Sequence, residues 1–554
     1  MMTAARKYRP YPAIRLPDRT WPDASITKPP VWCSVDLRDG NQALIDPMGT
    51  ESKMRLWTTL VGMGFKEIEV GFPAASQTDY DFVRHLIEGG HIPDDVTIQI
   101  LTQSREELIR RSFEALEGAK RAIIHLYNST SEVQRRVVFG LDRQGCIDLA
   151  LKGTGLIREL SARRADGEVM FQYSPESYTG TEPDFAVAVV EAVAEGWGAG
   201  PGRKMICNLP ATVEMSTPNV YADSVEWFAR TVKGRERLIL SVHPHNDRGT
   251  AVAAAELAVL AGAERVEGTL FGNGERTGNV DVCTLALNMV TQGVDPGLDV
   301  SDIDAVRSVA EDVTKLPVHP RHPYAGSLVY TAFSGSHQDA INKGFAARRK
   351  ANDETWEVPY LPIDPADVGR TYEAVIRINS QSGKGGVAHV LERDYGLQLP
   401  RSLQVEFAKI VQARADSAGR ELTPAEIISA FADTYFVSGR LQVADYATSP
   451  GGHGTRALTA VILDDGVEKT IQGTGNGPVD AFVHALSQDL GIAVAVRDYH
   501  EHAIGGGSEA QAACYVAVQA ADGPVVHGAA RHANVTLAAL MAVAGAVNRM
   551  RRQG

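Results

Sequence analysis

LILSVHPHND, Leu238 to Asp247, is an apolar, β-rich run that turns polar at its C-terminal end. In an extended strand the side chains of residues i and i+2 point the same way, so His243 and His245 present two imidazoles to one side. Far upstream, the run Val31 to Asp36 leads into LRDGNQ (Leu37 to Gln42), which supplies Arg38 and Asp39. Two histidines and one carboxylate can hold a divalent ion and leave coordination positions open. An open divalent site beside a guanidinium suits an enzyme that polarises a carbonyl oxygen while gripping a carboxylate, the two handles of a 2-oxo acid.

Outward from this pair, β-rich runs recur at intervals of roughly 25 to 40 residues with helical patterns between most of them. They are Val31 to Asp36, Glu67 to Phe72, Thr97 to Leu101, Arg121 to Leu126, Val169 to Ser174, Met205 to Leu209, Leu238 to Val242 and Arg265 to Leu270. Eight alternating β and α units in a length near ~250 residues predict an α/β fold, a (β/α)8 TIM barrel with its chemistry at the C-terminal ends of the strands. Polar residues fall at those ends. Arg38 and Asp39 follow strand one, His125 and Tyr127 close strand four, Ser174 and Glu176 end strand five, Asn208 and Thr212 follow strand six, and His243 and His245 end strand seven. A His-x-His pair taken alone is more often an ordinary polar rim; its place at a strand end, with Asp39 to match, makes it a metal candidate.

A Pro-rich arm, residues 1–30, precedes the barrel, which is expected over 31–305. Helices and long loops follow over 306–436 as a linker subdomain. From 437 to 554 the pattern changes again, to strands Leu441 to Ala447, Ala457 to Asp464 and Val467 to Gly473 with a helix near Val479 to Leu490. The order then repeats in Ile492 to Ala503, Ala510 to Ala520 and Val525 to Ala530, with a helix over Thr536 to Arg549. Two βββα units in tandem predict a small α+β domain of pseudo-symmetric halves, suited to sensing a ligand at the seam.

Composition narrows the class. With 44% hydrophobic and 22% charged residues the 554-residue chain reads as an ordinary soluble globular protein. A formal net charge of −13 argues against nucleic acid or an anionic membrane as main partner. Cys33, Cys146, Cys207, Cys283 and Cys514 are scattered and odd in number, as expected of reduced core thiols in a cytoplasm. No signal-length or membrane-length apolar run is present, so a cytoplasmic protein is expected.

Three glycine-rich runs need separate readings. GNGERTGN (Gly272 to Asn279) has the spacing GxGxxxG and follows the last barrel strand, so it is no dinucleotide fingerprint. A loop after strand eight lines a barrel's active site instead, which makes Asn273, Glu275, Arg276 and Asn279 site candidates. SGKGG (Ser382 to Gly386) lacks the upstream glycine of a phosphate loop and reads as a helix start. IGGGSEA (Ile504 to Ala510) reads as a turn between strands.

Several longer segments carry a resemblance: EVGFPAASQTDYDFVR, YSPESYTGTE, CNLPATVEMSTPNVYAD, SVHPHNDRGTAVAA, GTLFGNGERTGNVD, FSGSHQDAINKG and GRTYEAVIRINSQSGKGG. With LRDGNQ they make the chain, from about Val31 to Val387, resemble the 2-isopropylmalate synthases, of the longer type with a C-terminal leucine-regulatory domain. The likeness is weaker from about Gly439 to Arg549, where HGAARHANVTLAAL (His527 to Leu540) departs from the expected pattern. The resemblance implies a metal held by Asp39, His243 and His245 with Asn279 close by. It implies Arg38, Glu176, His337 and Tyr372 as catalytic residues, the last two reaching the active site from the linker of a partner subunit in a homodimer. Leu101, His125, Ser174, Asn208, Pro210 and Thr212 would form the 2-oxo acid pocket, and Glu275 and Gly278 would shape the acetyl-CoA side. The implied reaction is a divalent-metal-dependent Claisen condensation of acetyl-CoA with 2-oxoisovalerate, then thioester hydrolysis to 2-isopropylmalate and CoA. Mg2+ is the expected ion, with Mn2+ or Zn2+ as alternatives, and leucine the expected feedback inhibitor. The rival readings are a homocitrate or citramalate synthase, a lyase or aldolase on the same barrel, and a non-catalytic amino-acid sensor.

Overall fold

The structure, a computed structural model, describes residues 5–165, 167–332, 334–351, 354–372, 388, 391–392, 395–418, 422–505, 510–521 and 523–553. The expected helix start at SGKGG and most of the IGGGSEA turn lie outside the described residues. The chain forms two compact units, one of Met1–Tyr330 with Ile363–Thr371, the other of Thr331–Pro362 with Tyr372–Gly554.

The first unit is a closed barrel of eight parallel strands in sequence order. They are β1 (Val31–Ser34), β2 (Glu67–Gly71), β3 (Thr97–Gln103), β4 (Arg121–Ser129), β5 (Glu168–Glu176), β6 (Met205–Ala211), β7 (Leu238–Pro244) and β8 (Arg265–Gly268). Closure pairs Val31 with Arg265 and Ser34 with Gly268. Crossover helices follow the strands: α1 (Thr50–Met63), α2 (Gln77–Glu88), α3 (Glu106–Ala115), α4 (Arg143–Arg163), α5 (Pro183–Trp197), α6 (Pro218–Thr231), α7 (Ala251–Leu260) and α8 (Val282–Val290). Local sequence marks where they start. Ser76, Asp142 and Asp281 accept backbone N–H groups as N-caps, and Pro183 and Pro218 open α5 and α6, where their fixed φ suits the first turn. A ninth helix, α9 (Ile303–Thr314), packs on α1 in the same unit. The arm before β1 is pinned to α6, where Arg19 pairs with Asp223 at 2.7 Å and Thr20 N–H donates to Glu226 at 2.9 Å.

The strand ends depart from the sequence expectation in a consistent way. β4, β5 and β7 run on to Ser129, Glu176 and Pro244, because their rim residues keep pairing with neighbouring strands. β1 stops at Ser34, and Asp36–Gly40 winds into a single π-type turn that raises Arg38 and Asp39 over the barrel mouth. Asn208 lies within β6 rather than after it.

Inside the barrel the usual branched apolar filling is replaced by polar side chains. Glu69, Gln99, Gln172, Arg265 and Glu267 have 0% exposure and bond to one another across β2, β3, β5 and β8. Their intervening neighbours Ile68, Val70, Ile98, Ile100, Phe171 and Val266 are fully buried on the opposite, apolar face. Polar groups so deep are tolerated because they are paired.

The second unit holds α10 (Gly335–Ala351), α11 (Arg401–Ala418) and α12 (Pro424–Tyr435), the last opened by a capping box between Thr423 and Glu426. Two antiparallel three-stranded sheets follow, β9 (Leu441–Pro450), β10 (Arg456–Asp464) and β11 (Val467–Gly475), then β12 (Ala495–Ile504), β13 (Gln511–Gln519) and β14 (Val525–His532). Each is completed by a helix, α13 (Pro478–Leu490) and α14 (Val535–Gln553). The repeat extends to atomic packing. A Cβ on Gly473 would stand 2.2 Å from Ala481 O, and one on Gly528 would stand 2.2 Å from Ala542 O. Both halves therefore use a glycine in their third strand to let the following helix lie close. Leu458, Ile462, Phe482, Leu486, Val516, Val518, Leu540 and Val543 share one core that spans the two halves. No helix among the described residues is long and apolar enough to cross a membrane.

Candidate active site

The barrel mouth opens into a cavity of about 420 Å3 lined by Arg38, Asp39, Gln42, Phe72, Leu101, His125, Tyr127, Ser174, Glu176, Asn208, Pro210, Thr212, His243, His245, Glu275 and Arg276. Strand geometry brings these together, each strand delivering its last inward residues to one rim. Among the described residues, Asp39, His243 and His245 form the one buried group of acidic, histidine or cysteine side chains able to surround an ion, with donor atoms within 4.8 Å of one another.

Hydrogen bonding fixes the chemistry of each ligand. His243 Nδ1 lies 2.8 Å from Glu267 Oε2, which can only accept, so in the neutral ring Nδ1 carries the hydrogen and Nε2 presents its lone pair. Nε2 is 3.2 Å from Asp39 Oδ2 and 3.2 Å from His245 Nε2. Arg38 spans two carboxylates, donating from Nη1 to Asp39 at 2.7 Å and from Nε to Glu69 at 2.6 Å. His125 Nδ1 faces Glu69 Oε1 at 2.8 Å, and its Nε2 faces Ser174 Oγ at 2.7 Å. Asn208 Nδ2 donates to Ser174 Oγ and to Glu267 Oε2, both at 3.1 Å. Above His245, Arg276 donates to Nδ1 at 2.7 Å and pairs with Asp247 at 2.7 Å.

The electrostatics favour a cation. Asp39, Glu69 and Glu267 are three buried carboxylates against one buried guanidinium, Arg265, and one that is partly exposed to the cavity, Arg38. Burial works against ionised carboxylates, yet Arg38 and the histidines hold Asp39 well below its usual range, and Arg265 with His243 does the same for Glu267. Burial likewise opposes a charged His243, but Asp39 and Glu267 outweigh it and push the ring up to about 9. A site that binds a proton so firmly attracts positive charge, and a divalent ion would compete for the same lone pair. Asn279 adds a further donor. It is 1% exposed, its backbone pairs with His245, and its Oδ1 is buried without a hydrogen-bond partner. The donors present therefore fit a divalent metal.

Four other residues named for the site do not line this cavity. Gly278 does not line the cavity; at φ +100° it forms the turn that aims Asn279, its carbonyl accepting Asn246 N–H at 2.9 Å. Asn273 likewise acts from behind, bracing Gly40 O at 3.0 Å. His337 and Tyr372 belong to the second unit, where exposed His337 stacks on Tyr360 at 4.1 Å and Tyr372 packs near Phe345 at 5.9 Å. Residues absent from the sequence reading are Gln42 and Phe72, which line the cavity, and the buried layer of Glu69, Gln99, Gln172, Arg265 and Glu267 beneath it. Their signal was present in EIEV, TIQIL and RVEG, where charged or amide groups alternate with apolar residues inside strands.

Comparison with known proteins agrees with this geometry. An HMGL-like family model matches residues 29–310, an alpha-isopropylmalate synthase post-catalytic domain-like model matches 327–392, and a LeuA allosteric (dimerisation) domain model matches 421–551. The 2-isopropylmalate synthase of Rhodospirillum rubrum is 58% identical over 554 residues, covering 99% of both chains. That of Parafrankia sp. is 58% identical over 553 residues, covering 99% of this chain and 98% of its own. The corresponding protein of Mesorhizobium japonicum is 57% identical over 554 residues and 99% of each chain. With a barrel, a metal-binding rim and a LeuA domain matched in order along its length, this chain belongs to the 2-isopropylmalate synthase family.

Proposed function

We propose that the barrel cavity joins the methyl carbon of acetyl-CoA to the ketone carbon of 2-oxoisovalerate and that the thioester is then hydrolysed, giving 2-isopropylmalate and CoA for leucine synthesis. The observation that carries this reading is the buried Asp39, His243 and His245 cluster directly beside Arg38. A divalent ion held there by these three residues, with Asn279 close, supplies Lewis-acid polarisation of a carbonyl oxygen. Arg38 contributes its Nη2, which has no partner among the described residues and can meet negative charge developing on the acceptor oxygen. Fixed by Glu69 and Asp39, it needs no reorganisation to do so. Leu101 and Phe72 give the cavity an apolar wall for a branched end, while Ser174, Asn208 and Thr212 give it polar contacts. Glu176, at the end of β5 and hydrogen-bonded by Ser129 Oγ, is placed for proton transfer. His337 and Tyr372 complete the set in this proposal from the partner subunit of a homodimer.

Mg2+ is the proposed ion, since oxygen donors from a chelating 2-oxo acid would add to the carboxylate and suit a hard cation. Leucine is the proposed inhibitor at the second unit. There a cavity of about 690 Å3 opens between the two βββα halves, with Val479, Val483, Val494 and Val496 beside Asp480 and Glu501. Its lining comes from β12 and the starts of α13 and α14.

The deciding assay is release of free CoA thiol from acetyl-CoA with 2-oxoisovalerate, pyruvate or 2-oxoglutarate, with and without a chelator. Chelator-sensitive release fastest with 2-oxoisovalerate is expected. Preference for pyruvate or 2-oxoglutarate would reassign the acceptor, and release indifferent to chelation would refute the metal role.

A further inference from the structure

Glu267 lies at the base of the site, fully buried and outside the cavity lining, yet it bonds to two residues of the cavity above it. Its Oε2 accepts from His243 Nδ1 at 2.8 Å and from Asn208 Nδ2 at 3.1 Å. Its Oε1 accepts from Arg265 at 2.7 Å, Gln172 at 2.7 Å and Gln99 at 3.1 Å. One oxygen is thus shared between a metal ligand and a residue of the acceptor pocket, while the other is clamped by three donors. Arg265 is in turn fixed by Glu67 at 2.5 Å and by Ser241 Oγ at 2.9 Å, so the carboxylate cannot rotate away without uncoupling a fully buried ion pair.

We infer that Glu267 is a positioning residue that sets His243 as a metal ligand and, through the same oxygen, couples that ligand to Asn208 in the acceptor pocket. A neutral imidazole offers one lone pair, and the nitrogen that carries the hydrogen is decided by what faces it. Glu267 holds the hydrogen on Nδ1 and thereby reserves Nε2 for the ion. His245 has no such carboxylate: its Nδ1 accepts from Arg276, which leaves the hydrogen of the neutral, metal-free ring on Nε2, so His243 is the histidine the fold holds with its ion-facing lone pair free. A carboxylate behind a ligating histidine also raises its basicity, and loss of such a partner typically weakens metal affinity by about 10- to 100-fold. Asn208, held on the same Oε2, would feel any displacement of the carboxylate, which links metal and acceptor binding without a direct contact.

This inference rests on the metal-dependent reading of the cavity, and the test separates the two. Mn2+ alone is titrated calorimetrically, without substrate, into the wild-type full chain and into Glu267→Gln and Glu267→Asp. Gln keeps the reach to His243 but removes the charge. Asp keeps the charge for Arg265 but retracts the carboxylate by about 1.5 Å, one carbon–carbon bond. The expected result is a Kd at least tenfold weaker in each variant that retains the wild-type circular dichroism spectrum, with the KM for the 2-oxo acid rising more than kcat falls. A Kd within fivefold of wild type in either folded variant overturns the inference. A histidine 15N spectrum of the metal-free wild type, recorded at a pH where the His243 ring is neutral and assigned with His243→Gln, gives a check that needs no change at Glu267, and His243 with its hydrogen on Nε2 alone would also overturn it. If wild type binds Mn2+ but releases no CoA with any 2-oxo acid, the proposed function fails while the Mn2+ titrations still decide the role of Glu267.

Discussion

Replacing Gly278 by alanine should disable the site while leaving the barrel folded, and the size of the effect can be worked from the loop. Gly278 has φ +100°, beyond even the left-handed region where an L-residue fits with strain, which costs about 2 kcal/mol. A Cβ there would stand 1.9 Å from Gly272 O, so that carbonyl must withdraw by more than about 1 Å to reach an ordinary contact. The same carbonyl accepts Asn279 N–H at 3.1 Å, and losing this bond adds about 1 kcal/mol. The sum, about 3 kcal/mol, is far less than unfolding a closed barrel would need, so the loop from Gly272 to Asn279 should shift instead. It carries Glu275 and Arg276 of the cavity and the donor Asn279. About 3 kcal/mol against the competent loop corresponds to roughly a hundredfold fall in kcat/KM. The assay is CoA release together with Mn2+ affinity and thermal unfolding, with a melting temperature close to wild type expected. A Gly278→Ala enzyme with wild-type kcat/KM and Mn2+ affinity would refute the claim that this turn, rather than a side-chain contact, is what position 278 supplies.

Asp39→Asn should weaken Mn2+ binding by at least about 100-fold and abolish measurable CoA release, since it removes the one carboxylate of the donor cluster; calorimetry and the thiol assay check this together. Lys53 is fully buried and pairs with Asp79 at 2.5 Å, and Asp79 also accepts Phe72 N–H at 2.8 Å beside the cavity. Lys53→Met, which leaves that carboxylate unpaired, should destabilise the barrel by about 3 kcal/mol and lower turnover, as read by urea unfolding and kinetics. Glu406 on α11 binds His527 at 2.6 Å and Arg549 at 3.0 Å. Burial would raise its pKa, but these partners take it from the ordinary 4.5 down to about 2. The stabilisation it gives the second unit, on the order of 2 kcal/mol, is therefore present above about pH 4.5 and lost as pH falls toward 2. Glu406→Gln should remove that acid limb from the unit's unfolding profile and lower its stability at pH 7. Val479→Trp, which narrows the cavity between the βββα halves, should relieve leucine inhibition while leaving basal CoA release unchanged.

What could be read in the chain before folding followed from strand periodicity. An ending such as SVHPH announces both the strand and the polar rim it must reach, because a barrel sends the last inward residues of its parallel strands to one mouth. The same logic gave Asp39, His125, Ser174 and Glu176 their place at the mouth, and the two βββα halves announced themselves by repetition of type and order. The π-type turn at Asp36–Gly40 was not legible, since it depends on Leu270 N–H donating to Asp36 at 3.0 Å from the far side of the barrel closure. Nor was the role of Gly278, whose carbonyl contacts are set by where the loop after β8 meets the strand before it.

The buried polar layer is the instructive omission. Strands with alternating charge normally place the charged face in water, so EIEV and RVEG taken alone do not distinguish a solvated face from a polar lumen. Closure of the barrel decides between them. Once the apolar residues of β2 and β8 are committed outward to the helices, Glu69, Arg265 and Glu267 have only the lumen left, and they survive there because Gln99 and Gln172 complete their pairing. A strand in a predicted TIM barrel whose charged residues alternate with fully apolar ones is therefore a statement about the site above it. Its charges must be matched across the lumen, and the lone pairs left over are available to hold the catalytic residues at the rim, as Glu69 holds Arg38 and His125 and Glu267 holds His243.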